Sequence, residues 1–163
     1  VMMISAASGF IYQSDRYSTN NAGQSLLNYT VLRKNELAYN HGFSNLRPFG
    51  SCFDLKIEEA RVPFVYHCFS VPDNNPGFIS MELNSYFVEQ QLRKLVSSTA
   101  RMDGLLNISF EDYSTVEIFV PHIDEQQKIA DYFTNLDTLI EAQEQKITKL
   151  KQMRSALLQK MFV

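Results

Sequence analysis

The stretch from Val120 to Val163, VPHIDEQQKIADYFTNLDTLIEAQEQKITKLKQMRSALLQKMFV, holds no glycine, and no proline after Pro121. Within it Ile129, Phe133, Leu136, Ile140, Ile147, Leu150, Leu157 and Met161 recur in alternating steps of four and three once Gln143 and Arg154 fill their places. That spacing is a heptad seam, which keeps one stripe of a helix facing a partner helix. Asp124 stands where a helix cap belongs, with Gln127 three residues on as its capping-box partner. A helix from Asp124 to Met161 is about 57 Å long at about 1.5 Å per residue. A domain of this chain's size is roughly 30 Å across. A good part of the seam therefore cannot fold back on its own domain and needs another helix. Length disfavours the simpler arrangement, in which the helix only covers a sheet. Acids hold the first half (Asp124, Glu125, Asp131, Asp137, Glu141, Glu144) and bases the second (Lys146, Lys149, Lys151, Arg154, Lys160), an order that suits the helix dipole.

Upstream the pattern changes. YTVLRKNELAYN alternates apolar and polar residues as a half-buried strand does, FVYHCFSV reads as a buried strand, and TVEIFV repeats the pattern. Turn-rich loops separate them: HGFSNLRPFG, VPDNNPGF and SSTARMDG. MELNSYFVEQQLRKLV has helical spacing at Leu83, Phe87, Gln90/Gln91 and Leu95. The chain is predicted to be α+β: a strand-rich domain over residues 1–121, then one long helix over residues 122–163 that forms a coiled coil with a partner helix.

Composition bounds the rest. The 163 residues are 45% hydrophobic and 20% charged, values of a soluble globular protein with one core. No apolar run is long enough for a bilayer, VMMISAASGF lacks a basic leader region, and the opening Val1 is what a piece of a longer protein would show. Cys52 and Cys68 lack metal-ligand spacing and read as reduced core thiols, so the chain is expected in the cytoplasm. The tripeptides Asn28-Tyr29-Thr30 and Asn107-Ile108-Ser109 match a glycosylation acceptor only by chance in that setting. The net charge is −3. Phosphate neutralisation drives nucleic-acid affinity, so an acidic balance argues mildly against a stand-alone nucleic-acid binder.

The ordered set of motifs resembles the type I restriction–modification specificity subunits. It comprises Pro121, Ile123, Glu125-Gln126, Lys128-Ile129, Leu136-Asp137 and Leu158-Gln159-Lys160-Met161-Phe162 at the C-terminus. Upstream, YNHGFSNLRPFG is similar to that family's Tyr-Asn loop, and ARMDGLLNISFEDY to its Arg-x-x-Gly-Leu-Leu-Asn-Ile stretch. The resemblance implies a DNA target recognition domain followed by a long spacer helix. Full subunits have two of each, with the helices packed as an antiparallel pair, so this chain corresponds to half a subunit. It implies double-stranded DNA, methyltransferase (modification) subunits, restriction subunits through the complex, and a second half-subunit or a homodimer as partners, with no membrane. S-adenosylmethionine and ATP/Mg would sit in the partner subunits, and no cofactor or metal in this chain. The helix would then be a ruler of a little over one and a half turns of B-DNA, at about 34 Å per turn.

Three polar loops suit DNA readout. The first offers Gln13, Ser14, Arg16, Tyr17 and Asn20. The second offers Asn40, His41, Phe43, Ser44, Asn45 and Arg47, and the third Ser98, Thr99 and Arg101. Asn and Gln pair bidentately with adenine and Arg with guanine, while Phe43 could wedge against bases. Each also has a local use: Asn in a turn, Arg101 beside Asp103, His41 as a loop contact. The helix–helix interface is expected at Phe133, Leu136, Ile140, Ile147, Leu150, Leu157 and Met161.

Enzyme readings lack parts. There is no Walker loop and no GxGxxG. Asn75-Pro76-Gly77-Phe78 departs from the Asn-Pro-Pro-Tyr type of adenine methyltransferases. A nuclease set forced from Asp73, Glu144 and Lys146 would put two of its members in the heptad rod. The expectation is a non-catalytic recognition module, with a coiled-coil assembly adaptor carrying a degenerate domain as the alternative.

Overall fold

The computed structural model describes residues 1–16, 28–96 and 105–161. Along these the chain forms β1 (Met2–Ser5), β2 (Gly9–Tyr12), the single turn α1 (Gln13–Arg16), β3 (Thr30–Arg33), β4 (Leu37–Asn40), β5 (Ser51–Asp54), β6 (Glu59–Val62) and β7 (His67–Phe69). Helices follow: α2 (Pro76–Leu83), α3 (Tyr86–Leu95), the short α4 (Phe110–Tyr113) and α5 (Ile123–Met161). Strands first and helices after make this the α+β fold that the sequence predicts. The chain divides into two compact units, Val1–Gln126 and Gln127–Val163.

Small antiparallel sheets build the first unit: β1 with β2, β3 with β6, and β5-β4-β7 with β4 at the centre. A central strand has neighbours on both sides and covered faces. Leu37, Ala38 and Tyr39 in β4 are accordingly all buried in succession. On β3 and β6 the alternation is cleaner: Leu32, Ala60 and Val62 point inward, while Val31, Arg33, Glu59 and Arg61 point out. Met2, Ile4, Leu32, Leu55, Val62 and Tyr66 share the core. The Tyr66 hydroxyl accepts the Ile4 amide at 3.2 Å, so the polar tip of a buried ring is satisfied.

The structure corrects several sequence expectations. YTVLRKNELAYN is two strands in different sheets, because Asn35 takes φ 68° and turns the chain. Asn tolerates that conformation, and the Glu36 carboxylate accepts the Arg33 amide at 2.7 Å to hold the turn. MELNSYFVEQQLRKLV is also two elements. The Ser85 hydroxyl caps α3 by accepting the Val88 amide, which breaks the helix at Asn84-Ser85. The second half of VPDNNPGF opens α2, with Asn75 as cap and Pro76 in the first turn. TVEIFV makes no ladder. Instead the Gln91 side chain serves both backbone groups of Glu117, accepting its N–H at 2.9 Å and donating to its carbonyl at 2.8 Å. Finally, α5 starts one residue before Asp124: the His122 carbonyl accepts the Glu125 and Gln126 amides, and the Gln127 side chain donates forward to Asp131 at 2.8 Å.

Gly50, at φ 85°, lets β5 begin tight against β4. A Cβ there would lie 2.5 Å from the Asn40 carbonyl oxygen and 2.8 Å from the Tyr39 hydroxyl, which itself donates to the Phe49 carbonyl at 2.6 Å. Gly50→Ala therefore adds backbone strain to overpacking. It should lower the unfolding free energy by at least about 2 kcal/mol, read as a shift of the denaturant midpoint. An unchanged midpoint would show that the close approach is not needed.

Candidate nucleic-acid interface

The Asn40–Gly50 loop leaves β4 and is pinned by its own side chains. Asn40 accepts the Gly42 amide at 3.0 Å, a side chain imitating a turn. The Ser44 hydroxyl accepts the Arg47 amide at 3.0 Å and lies 3.3 Å from the Arg47 carbonyl, to which it donates. The Arg47 guanidinium donates to the Asn84 carbonyl at 2.6 Å and so ties the loop to the α2–α3 junction. Asn84 in turn accepts the Cys52 amide at 3.0 Å. What remains at the surface is the tip: Phe43 is 59% exposed, Leu46 62%, and Asn45 is exposed beside them. An exposed apolar wedge next to a free amide is chemistry that suits a groove of stacked bases.

His41 is a correction. It lies 7% exposed, with Nδ1 at 2.7 Å from the Leu106 carbonyl oxygen and Nε2 at 2.9 Å from that of Val65. Its place is inside the fold, where it fastens the loop base to two other segments, and it has no edge to offer DNA. Behind it His67 stacks on the His41 ring at 4.9 Å, and Tyr39 stacks on Tyr113 at 3.9 Å. Burial holds the His67 imidazole below its ordinary value, with the Ile108 carbonyl opposing and the His41 ring adding to the shift. Asn40, Ser44 and Arg47 thus spend polar groups on shaping the loop, while Phe43 and Asn45 face outward.

In the first candidate loop Gln13 is half-buried near the Tyr29 hydroxyl at 3.4 Å, Ser14 turns toward Asp15 at 3.5 Å, and Arg16 is exposed. Tyr17 and Asn20, and with them Ser98, Thr99 and Arg101, lie outside the described residues. Among the described residues no group of His, Cys, Asp and Glu has the arrangement to hold a metal ion, and no helix is long and apolar enough to cross a membrane.

In the second unit α5 carries the seam at its surface: Phe133 is 47% exposed, Ile140 55%, Leu150 56% and Met161 73%. Ile147 and Leu157 are exposed as well, and Leu136 is half-buried. Beside the seam Tyr132, Leu139 and Met153 are exposed too, at intervals of seven and fourteen residues, with Lys146 at the heptad position between the last two.

Residues 10–152 match the type I restriction modification DNA specificity domain. The chain belongs to that family. The match runs from β2 into α5 and so takes in the Asn40–Gly50 loop, the α2–α3 junction and most of the seam. A search of curated proteins finds no match. The specificity domain is a DNA-binding target recognition module of restriction–modification systems, and the module is not itself catalytic.

Sequence reasoning missed the residues that build the site from behind. Gln126 is 2% exposed and accepts the Asn75 amide at 2.9 Å while donating to Asn74 Oδ1 at 3.0 Å and to the Pro121 carbonyl at 2.9 Å. Nothing in a polar residue near a helix start announces such burial. Asn84 could have been found, because Asn-Ser followed by an apolar run is a helix-cap signal.

The Cys52 thiol, fully buried at the Asn84 contact, is pushed up to about 12 by burial, with the Tyr113 hydroxyl opposing and Asp54 and Cys68 adding. In the unfolded chain a thiol ionises near its ordinary 9.0. A raised folded value means that this contribution is fully present below pH 9.0 and is lost as pH climbs toward 12. Stability should therefore fall above pH 9.0, with Cys52 contributing up to about 1.4 kcal/mol per pH unit. Denaturant titrations of the wild type and Cys52→Ala check this. Equal alkaline slopes would remove Cys52 as the cause.

Proposed function

We propose that the chain reads one half of a bipartite DNA target and that α5 joins it to a second recognition unit while docking methyltransferase subunits. The observation that carries this reading is a helix of 39 residues, in a DNA specificity domain, whose seam is exposed along nearly its whole length. So long an apolar stripe is costly in water unless another helix covers it. The target recognition domain is residues 1–121 and the spacer and dimerisation region residues 122–163. The outward-facing Phe43 and Asn45 read base edges, and Gln13, Ser14 and Arg16 of α1 are further candidates for contact with the duplex.

The apolar residues beside the seam support a further partner. Two helices meeting through a seam of alternating threes and fours leave Tyr132, Leu139 and Met153 at their margin. Apolar side chains there suit a third helix, and we assign that margin to the methyltransferase subunits. S-adenosylmethionine is bound by those subunits, and ATP with Mg by restriction subunits joined through the complex. The recognition chain supplies address, not chemistry.

Two measurements test the reading. Adenine methylation is mapped in cells expressing the methyltransferase subunit with and without this chain. A bipartite motif methylated only in its presence is the expected result. A palindromic motif would mean two copies, and an asymmetric one a second, different unit. No gained motif would sink the specificity reading and favour a coiled-coil adaptor. In sedimentation the chain should form an antiparallel dimer, and Ile140→Glu with Ile147→Glu should return it to monomer. A monomer at every concentration for the unaltered chain would refute self-pairing.

A further inference from the structure

α3 has a face that the site described above does not use. Val88 and Leu92 turn inward at 0% and 3% exposure. On one flank Ser85, Glu89 and Leu92 line a small cleft together with Arg47 and Gly50 of the Asn40–Gly50 loop. On the other flank Gln91 holds Glu117, and the Phe87 and Phe119 rings meet at 5.3 Å. Between these flanks the helical repeat brings Tyr86, Gln90 and Arg93 into one stripe, with Lys94 at its edge. Tyr86 is 74% exposed, Arg93 and Lys94 are exposed, and Gln90 is half-buried. Among the described residues none pairs with the side chains of these four. Glu89, the acid of this helix, faces the cleft shared with Arg47, so the stripe itself is cationic.

We propose that this face of α3 lies against the DNA duplex, with Arg93 and Lys94 on backbone phosphates and Gln90 directed at base edges. The inference rests on the DNA-reading role of the chain. It adds an element that none of the candidate loops includes. A helix of this width fits the major groove, and unpaired cations beside an amide and a phenol are the groups that hold phosphates and read adenine there. The Arg47–Asn84 bond makes the arrangement continuous: it fastens the loop bearing Phe43 and Asn45 to the residue just before the α3 cap.

The test is the salt dependence of binding of the full chain to a short mixed-sequence duplex, followed by fluorescence anisotropy. Replacing both Arg93 and Lys94 by alanine should flatten the plot of log affinity against log salt by about 1.8, at about 0.9 for each phosphate no longer neutralised. The Arg33→Ala/Arg61→Ala pair, on the outward face of β3 and β6, should leave the slope unchanged. Thermal melting confirms that both variants fold. An unaltered slope for the α3 variant, with the wild type binding normally, overturns the α3 assignment and leaves DNA recognition standing. Equal flattening in both variants means a diffuse field and overturns it too. Failure of the wild type to bind any duplex at low salt removes the DNA reading itself, and the inference with it. Gln90→Ala should change the sequences enriched from a randomised duplex pool at one position, and identical sequences would end its role as a reader.

Discussion

The side-chain amide of Gln126 holds the recognition unit in one arrangement. A primary amide has two N–H donors and a carbonyl acceptor, and buried here it must satisfy them inside the protein. It does so with Asn74, Pro121 and the Asn75 backbone. Asn75 is also the cap of α2, accepting the Phe78 amide at 2.9 Å. At the far end of α2, Asn84 binds both backbone groups of Cys52 in β5 and receives Arg47 from the Asn40–Gly50 loop. A continuous run of amide contacts thus connects the first turn of α5 to the loop that carries Phe43 and Asn45. Each link is short, partly or fully buried and paired, so it favours a single geometry over a family of near alternatives. Removing one member strands its partners away from water, a cost of about 1–3 kcal/mol for each group left unsatisfied.

That network explains what could and could not be read from the sequence. α5 was legible because its signal is periodic and local: apolar residues at fixed steps, no breaker, charges sorted along the axis. Its beginning was misplaced by one residue because Asp124 and Gln127 have capping-box spacing, whereas the His122 carbonyl is the acceptor that starts the helix. The strand-rich character upstream was legible from alternation, but the division into sheets was not. Asn35 turns the chain through a left-handed conformation in the middle of a sequence that alternates as one strand. TVEIFV has every local mark of a strand and takes its partners from a glutamine side chain more than twenty positions away. In the Asn40–Gly50 loop, the polar residues look alike in the sequence. Which of them face solvent and which shape the loop depends on Asn84 and on the Leu106 and Val65 carbonyls, none of which is near in sequence.

The acidic balance of the chain fits this geometry better than it first suggests. Lys34 is paired with Glu58 and Lys56 with the buried Asp54, each at 2.6 Å, so those cations are already occupied. Among the described residues of the recognition unit, the exposed cations left over are Arg16, Arg33, Arg61, Arg93 and Lys94, spread over α1, β3, β6 and α3. A unit built this way gains little from long-range attraction and must rely on contacts made close to the duplex. In the proposed pairing, two such units on one scaffold would bind in effect as one ligand, because the second contact is made at the high local concentration set by the first. Weak halves would then be an advantage: neither would stay for long on a half-site alone.

The sorting of charge along α5 bears on the proposed pairing of the helix with a second copy. Its first half is acidic and its second half basic, and its backbone dipole adds a partial positive charge at the start and a partial negative one at the end. Side by side in the same direction, two such rods would set carboxylate against carboxylate and ammonium against ammonium. Reversed, each acidic head lies along a basic tail and the dipoles oppose. In the proposed pairing the rod would therefore behave like a bar with poles: the favoured direction would be chosen while the helices are still a Debye length apart, and the apolar seam would close on an orientation already decided.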